Sequence, residues 1–127
     1  MSAKILVVED NPQNRKLATV ILQDRGYEVV GVADSESAEA ALADGPPDLI
    51  LMDLGLPGMD GYSLTRKLRT RPGTEAVPIV AVSSFAMPGD REKAVAAGCT
   101  SYLTKPIRRA VLVEEVEAQL ARVRGSP

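Results

Sequence analysis

Histidine and tryptophan are both absent from this chain of 127 residues, and Cys99 is its one cysteine. The lack of histidine excludes hydrolases with a histidine base, metal sites with histidine ligands and autophosphorylation on histidine. A single cysteine excludes an internal disulfide and a cysteine-based zinc site. With one phenylalanine and three tyrosines, the core must be built from aliphatic side chains.

Long apolar runs are also absent. No run approaches the roughly 18 residues of a membrane span, and residues 1–4 lead directly into an apolar stretch without a signal-peptide pattern. These absences predict a cytoplasmic protein with no membrane contact. The net charge of −2 argues against direct nucleic-acid binding. A basic run at Arg66, Lys67, Arg69 and Arg71 is interpreted as a solvated helix face.

Short apolar runs alternate with segments of helical periodicity along the chain, which is typical of repeated βα units and a parallel sheet. The length, with 45% hydrophobic and 25% charged residues, fits one domain. We predict five strands and five helices in strict alternation, forming a doubly wound α/β sandwich. The predicted strands are residues 4–9, 28–33, 48–53, 78–83 and 100–104.

Helix starts and apolar faces can be predicted from the same pattern. Asn11 is expected to cap the first helix with Pro12 at its first position, and Asp60 is expected to cap the third. The second helix is expected at about residues 35–43, and the fourth ends near Gly98. The apolar positions expected to face the sheet are Leu17, Val20 and Ile21 in the first helix, Leu64 and Leu68 in the third, and Val113, Val116, Leu120 and Val123 in the last.

Acidic residues close two of the predicted strands, and a lysine follows another. Glu9 and Asp10 end the first strand, and Asp53 ends the third. Lys105 directly follows the fifth. Because ligands bind at the carboxyl ends of strands in open α/β sheets, these side chains can converge on one point. Three crowded carboxylates repel each other unless a divalent cation and the lysine neutralise them. The pattern indicates a Mg²⁺-dependent site that handles phosphoryl groups.

Five short segments carry a resemblance to a known family. They are Val8-Glu9-Asp10, Met52-Asp53-Leu54, Leu56-Pro57-Gly58-Met59-Asp60-Gly61, Val82-Ser83 and Lys105-Pro106. In this order they resemble the receiver domain of bacterial two-component response regulators, the CheY-like family, over essentially the whole chain. The resemblance implies a flavodoxin-like parallel sheet with strand order 2-1-3-4-5 and five helices. It also implies one receiver domain at residues 1–124, a short tail at 125–127 and no output domain.

The resemblance also assigns the phosphoacceptor and the metal ligands. Asp53 is the phosphoacceptor, since a carboxylate can attack phosphorus and form an aspartyl phosphate. Asp10 and Asp53 bind Mg²⁺ directly, or Mn²⁺ in its place, with the backbone carbonyl of Gly55 as another ligand. Glu9 acts on the metal through water, since Mg²⁺ keeps several waters and needs only one or two carboxylates. The plain alternative is that Glu9 and Asp10 favour the positive end of the next helix.

Three further residues take roles by the same resemblance. Lys105 is the counter-charge to a phosphoryl oxygen, and its bond to Pro106 is expected to be cis. Ser83 donates its hydroxyl to the phosphoryl group, although Ser84 beside it stands where the family more often has a small apolar residue. Tyr102 is the switch aromatic, which turns inward on phosphorylation and remodels the face formed by the fourth helix, fifth strand and fifth helix. The alternative for Lys105 is a surface lysine before a loop proline, and the alternative for Tyr102 is an amphipathic side chain on an edge strand.

The implied function is a phosphoaccepting signalling protein rather than a conventional turnover enzyme. Since the chain has no histidine, a histidine kinase or a histidine phosphotransfer protein must supply the phosphoryl group. The downstream protein binds the remodelled face, and the chain is a monomer or a phosphorylation-dependent dimer. The acyl phosphate also hydrolyses in place. We expect Gly55 to open the path for water and Phe85 to narrow it, and the net sign does not follow from the sequence.

Several alternatives stay open at this point. Residues 83–90 and 97–99 resemble stand-alone regulators of the DivK type, and also receivers excised from hybrid histidine kinases or larger regulators. A degenerate receiver that binds partners without phosphorylation is a further interpretation. A haloacid-dehalogenase phosphatase needs a second aspartate where this chain has Gly55. No Gly-Lys-Ser/Thr phosphate loop is present, and the clustered acids would repel the phosphate of a flavin cofactor.

Overall fold

A parallel sheet of five strands forms the centre of the molecule. The computed structural model describes residues 2–56, 60–84 and 87–124, without the side chain of residue 124. The strand order is β2-β1-β3-β4-β5, and every pair is parallel, which confirms the predicted fold class. The strands are β1 (Lys4–Val8), β2 (Glu28–Val32), β3 (Leu49–Asp53), β4 (Ile79–Ser83) and β5 (Ser101–Thr104).

Helices connect the strands in strict alternation. They are α1 (Pro12–Asp24), α2 (Ser35–Leu42), α3 (Gly61–Arg69), α4 (Asp90–Ala97) and α5 (Arg109–Arg124). Asn11 and Asp60 cap their helices as expected, because their side chains accept hydrogen bonds from Asn14 and Ser63 N–H groups. Within the described part of the chain, no helix has the length and apolar character needed to cross a membrane.

The predicted elements are correct in type, but several end one residue earlier or begin one residue later. Residues 48, 78 and 100 precede the strands rather than starting them. The difference is one of boundary and not of pairing, since the Thr100 N–H donates to the carbonyl of Ile79 at 2.8 Å and its side-chain hydroxyl contacts the same residue at 3.0 Å.

Two apolar clusters cover the two faces of the sheet. Alternate residues of β1 and β3 enter opposite clusters, so that Leu6 and Ile50 pack with α2, α3 and α4, while Ile5 and Leu51 pack with α1 and α5. All five residues of β3 and of β4 are buried. This two-sided burial explains the unbroken apolar runs in the sequence.

The predicted buried face of α1 is partly wrong. Leu17 and Val20 are 45% and 51% exposed, while Ala18, Ile21 and Leu22 are buried. Both sets satisfy the same helical spacing and share Ile21, so periodicity alone cannot choose between them. Contact with the sheet decides, and the helix is turned by about one residue from the expected orientation.

The buried face of α5 needs a similar correction at its ends. Val116 and Leu120 are buried as predicted, together with Leu112. Val113 is only partly buried, and Val123 is exposed near the end of the helix. Val123 belongs to neither apolar cluster, so helical spacing overextends the buried face by one turn at this end.

Arg69 contradicts the interpretation of the basic run as a wholly solvated face. Its guanidinium donates hydrogen bonds to the carbonyl of Gly98 at 2.9 Å and to those of Thr74 and Val77 at 2.9 and 2.6 Å. A further bond of 3.3 Å reaches Glu75. Arg69 therefore ties the end of α3 to the loop before β4 and to the end of α4.

Candidate functional site

The carboxyl ends of the central strands bring the predicted site residues to one edge of the sheet. Asp53 is the last residue of β3, and Glu9 and Asp10 directly follow β1, its neighbour. Ser83 is the last residue of β4, and its carbonyl accepts a hydrogen bond of 2.8 Å from the Lys105 N–H just after β5. The strand order thus collects side chains that are up to 96 positions apart, from Glu9 to Lys105.

Three carboxylates form a cluster at this edge. One oxygen each from Glu9, Asp10 and Asp53 lies within 4.8 Å of the others. Glu9 and Asp53 are only 4% and 5% exposed, whereas Asp10 is exposed. Carboxylates at this spacing repel one another. A hard divalent cation with oxygen ligands, such as Mg²⁺, fits this donor set and its opening toward solvent.

Lys105 supplies a positive charge to the cluster. Its Nζ lies 2.8 Å from Oε1 of Glu9 and 3.4 Å from Oδ2 of Asp53. Burial by itself would lower the pKa of Lys105, yet its contacts with Glu9 and Asp53 raise it above its usual range. The amine therefore stays charged. The Lys105–Pro106 peptide bond is cis, as the resemblance implies.

The two buried carboxyl groups differ in their affinity for a proton. Burial, with a hydrogen bond to Asp53, raises the pKa of Glu9 to about 7. Burial would also raise the pKa of Asp53, but hydrogen bonds from the Glu9 carboxyl and the Gly55 N–H outweigh it and hold that pKa below its usual range. The Gly55 bond to Oδ1 of Asp53 is 3.0 Å long. Asp53 is consequently the more acidic member of the pair and is anionic at neutral pH.

An open cleft of about 590 Å³ lies over the cluster. Ser83, which is buried, lines this cleft together with Asp53 and Lys105, so its hydroxyl-bearing side chain lies where the sequence predicted. The cleft is lined by Asp10, Asn11, Asn14, Asp53, Leu54, Gly55, Tyr62, Ser83, Ser84, Met87, Asp90, Lys93 and Lys105.

Gly55 lies at the exposed rim of the cleft. Of the described residues, a Cβ atom built on Gly55 would meet Oδ1 of Asp53, at 3.7 Å, which is an ordinary contact. The rim is thus open to solvent above Asp53, as expected for a water path. The carbonyl of Gly55 as a metal ligand stays a prediction. Phe85, the other residue expected to shape this path, lies outside the described residues.

Tyr102 occupies an inward position in β5. Its side chain is 8% exposed, and the guanidinium of Arg91 in α4 lies 5.7 Å from the ring centroid. The alternative, a tyrosine that only packs at the edge strand of the sheet, stays open, since β5 is an edge strand. A rotation of Tyr102 on phosphorylation stays a prediction, and it starts from a ring that packs against the core next to α4.

The face formed by α4, β5 and α5 carries a groove of about 670 Å³. Its residues are Met87, Gly89, Arg91, Glu92, Tyr102, Leu103, Thr104, Lys105, Pro106, Ile107, Arg108, Val111 and Leu112. Tyr102 and Lys105 belong to this groove, and Lys105 and Met87 also line the cleft. The two surfaces are therefore continuous.

Sequence reasoning missed two parts of the site. Tyr62 and Lys93 form one wall of the cleft, with Nζ of Lys93 4.7 Å from the Tyr62 ring centroid. No local pattern marks either residue, because they meet only when α3 and α4 pack together.

Arg15 donates hydrogen bonds to the carbonyls of Glu9 and Asp10 from the second turn of α1. Its position five residues after an acidic strand end was the only available signal.

Comparisons with known proteins agree with this geometry. The family model for the response regulator receiver domain matches residues 5–117. Response regulator PleD of Caulobacter vibrioides is 39% identical over 118 residues, which cover 93% of this chain and 26% of PleD. The chain thus spans about a quarter of that relative's length. The polar-differentiation response regulator DivK of Brucella ovis is 34% identical over 120 residues, which cover 94% of this chain and 98% of DivK.

A solved structure gives the same result in three dimensions. The receiver domain of sensor histidine kinase PA1611 from Pseudomonas aeruginosa is 40% identical and superposes with a TM-score of 0.87, covering 95% of this chain and 99% of that one. That structure holds a magnesium ion coordinated in its active site cleft. Sequence match, strand order and the acidic strand ends all agree, and the chain belongs to the response regulator receiver domain family.

Proposed function

We propose that this chain is a phosphoaccepting switch in which Asp53 receives a phosphoryl group from a phosphohistidine of a partner protein. The observation that carries this proposal is the state of Asp53: a buried, anionic carboxylate at a strand end, 3.4 Å from the Lys105 amine and beside two further acids. Such a carboxylate is an available nucleophile with positive charge next to it.

The transfer step follows from this arrangement. An oxygen of Asp53 attacks the phosphorus, the bond from phosphorus to the histidine nitrogen breaks, and that nitrogen keeps the electron pair and takes up a proton from solvent. Lys105 neutralises one phosphoryl oxygen, and the Ser83 hydroxyl donates to another. Catalysis is thus positioning and charge neutralisation, as in phosphoryl transfer generally.

The acids at the site would hold the metal that this chemistry needs. Asp10, Asp53 and the Gly55 carbonyl would bind Mg²⁺ directly, or Mn²⁺ in its place, and Glu9 would act through water. When bound, the ion supplies charge neutralisation for the phosphoryl oxygens. Its charge also offsets the repulsion among the three carboxylates, which Lys105 alone offsets only in part.

The partners follow from the chemistry of the chain. Residues 1–127 contain no histidine, so the phosphohistidine lies outside them, in a histidine kinase or a histidine phosphotransfer protein. We propose that the groove of α4, β5 and α5 binds the downstream protein, since it adjoins the cleft and includes Tyr102. A cytoplasmic location and a phosphorylation-dependent dimer stay predictions, checked by cell fractionation and by size-exclusion chromatography with light scattering.

Intact mass spectrometry after incubation with acetyl phosphate and Mg²⁺ tests the proposed function. We expect one added phosphoryl group on the wild type, and none on Asp53→Asn or in the presence of EDTA. Asp44→Asn is the matched control, since Asp44 is an exposed acid after α2. We expect it to be labelled like the wild type.

The proposal is contradicted by an adduct that persists in Asp53→Asn. It is also contradicted by a wild type that gains no phosphoryl group and shows no spectral change with beryllofluoride. The second result would leave a module that binds partners independently of phosphorylation.

A further inference from the structure

Arg15, in α1, contacts the backbone of Glu9 and Asp10 and also lies against β2. Its Nη1 atom donates to the carbonyl of Glu9 at 2.9 Å and to that of Asp10 at 3.4 Å. These two residues form the acid turn, the segment Glu9-Asp10 that follows β1. These carbonyls lie where the chain leaves β1, just before Asn11, whose carbonyl accepts the first helical hydrogen bond, from the Arg15 N–H at 2.9 Å. The side chain thus reaches back over the start of its own helix.

The stem of Arg15 lies against β2 at Gly31. A Cβ atom on Gly31 would lie 3.2 Å from Cγ and 3.3 Å from Cδ of Arg15, and 3.5 Å from Oγ1 of Thr19. Gly31 therefore leaves room that a larger side chain would take from the Arg15 stem. Arg15 is half-buried in this position. The stem of Arg15 thus packs against β2, and its guanidinium is held by the hydrogen bonds to the two carbonyls.

Two possible effects of Arg15 on a cation at the acid turn have opposite signs. A positive charge near a cation site disfavours cation binding, so removal of the charge alone would tighten Mg²⁺ binding. Groups that orient metal ligands act the other way, since their loss typically weakens metal affinity by about 10- to 100-fold. A measurement of Mg²⁺ affinity therefore separates the two effects by direction.

We propose that Arg15 is a positioning residue for the metal-binding acids. By holding both carbonyls of the acid turn, it fixes the direction in which the Glu9 and Asp10 side chains leave the backbone. Both bonds come from one terminal nitrogen, whose place between the two carbonyls depends on the length of the arginine stem and on its packing against Gly31. This inference rests on the proposed function, because it takes these acids to be the magnesium site.

Isothermal titration of Mg²⁺ into the protein, with no phosphoryl donor present, tests the inference. Arg15→Met keeps an apolar stem and loses both donors, and we expect its Kd for Mg²⁺ to rise about 10-fold. Lys16→Met is the matched control, since it removes the same charge from the neighbouring exposed position. Its Kd should stay equal to that of the wild type or fall.

Two further variants separate geometry from charge. Arg15→Lys keeps the charge on a side chain one atom shorter, whose amine cannot reach the position of Nη1, and we expect its Kd to lie between those of the wild type and Arg15→Met. Gly31→Val keeps Arg15 but occupies the space of its stem, and it should also weaken Mg²⁺ binding. Thermal unfolding in EDTA reports whether each variant is folded. If Arg15→Met does not fold, Arg15→Lys and Gly31→Val decide the question.

An Arg15→Met variant that binds Mg²⁺ as tightly as the wild type, or more tightly, overturns the positioning role. A wild type that does not bind Mg²⁺ overturns it as well. Failure of the proposed function gives a different result: Mg²⁺ binds to the wild type, yet no phosphoryl group is added to Asp53. In that case the effect of Arg15 on Mg²⁺ affinity still supports the positioning role.

Discussion

Glu9 and Asp53 carry the same chemical group in the same cleft, yet their pKa values move in opposite directions. Both are buried, and burial favours the neutral form of either acid. Each accepts one backbone hydrogen bond, Asp53 from the Gly55 N–H at 3.0 Å and Glu9 from the Asn11 N–H at 3.1 Å. Asp53 differs because the Glu9 carboxyl also donates to it, and this hydrogen bond lowers the pKa of Asp53 and raises that of Glu9. The contact between the two side chains thus makes Asp53 the more acidic of the pair.

We expect Gly55 to control the access of water to Asp53, and a substitution at this position tests that expectation. Among the residues that the structure describes, a Cβ atom at this position meets Oδ1 of Asp53 at an ordinary distance of 3.7 Å, so we expect Gly55→Asn to be accommodated. We expect the asparagine to obstruct the attacking water and slow loss of the phosphoryl group about 10-fold, a barrier change of roughly 1.4 kcal/mol. The measurement is the decay of the phosphorylated mass after removal of the donor.

Ala43→Asn serves as the control for Gly55→Asn, because Ala43 is exposed at the end of α2. Its decay rate should match that of the wild type. An unchanged rate in Gly55→Asn would show that the open rim does not govern hydrolysis.

At the scale of elements, the sequence predicted which segments are helices and strands but not how each helix is turned. β3 and β4 carry nearly unbroken apolar runs because both of their faces are covered, and their short length with the alternating helices identifies them as strands. For α1, Leu17 and Ala18 belong to equally regular helical stripes, and only contact with β1 and β2 distinguishes them. The role of Arg69 was missed for the same reason, since its carbonyl partners come from other segments.

Arg69 is expected to stabilise the packing of α3 against α4. Arg69→Met removes the guanidinium donor from the carbonyls of Gly98, Thr74 and Val77, of which Thr74 keeps a 3.4 Å bond from the Val77 N–H. Loss of a partner for a buried polar group costs about 1–3 kcal/mol, and Arg69 is partly exposed, so we expect a loss near 2 kcal/mol in the free energy of unfolding. Urea denaturation followed by circular dichroism measures it.

Arg66→Met is the matched control for Arg69, because Arg66 lies on the same helix and is exposed. Exposed positions usually change stability by less than about 0.5 kcal/mol. Equal midpoints for the two variants would mean that the Arg69 hydrogen bonds contribute nothing measurable.

At the scale of the whole molecule, one edge of the sheet gathers the functional groups. Residues at strand ends could be assigned from the sequence, since a strand end is a local feature and parallel strands share one carboxyl edge. Tyr62, Lys93 and Arg15 could not, because each reaches the site from a helix whose orientation depends on packing. The walls of the cleft therefore depend on how the helices pack, whereas the residues predicted to react lie at strand ends that can be located in the sequence.

Cys99 offers a reporter for the stability of this whole arrangement. It is buried in the cluster under α2, α3 and α4, and burial raises the pKa of its thiol above its usual range. The folded state therefore favours the protonated thiol, and its stability falls as pH rises past the thiol's unfolded pKa of about 8.5. At pH 8, iodoacetamide should label Cys99 only when the protein opens.

Magnesium should then slow this labelling from a distance. A ligand that binds only the folded state at one hundred times its Kd stabilises it by about 2.7 kcal/mol, so labelling through global opening should slow about 100-fold. Asp53→Asn should lose most of this protection, and Asp44→Asn should keep it. If Mg²⁺ does not change the labelling rate of the wild type, the reagent reaches Cys99 through a local opening of α3 and α4 that leaves the acidic cluster intact.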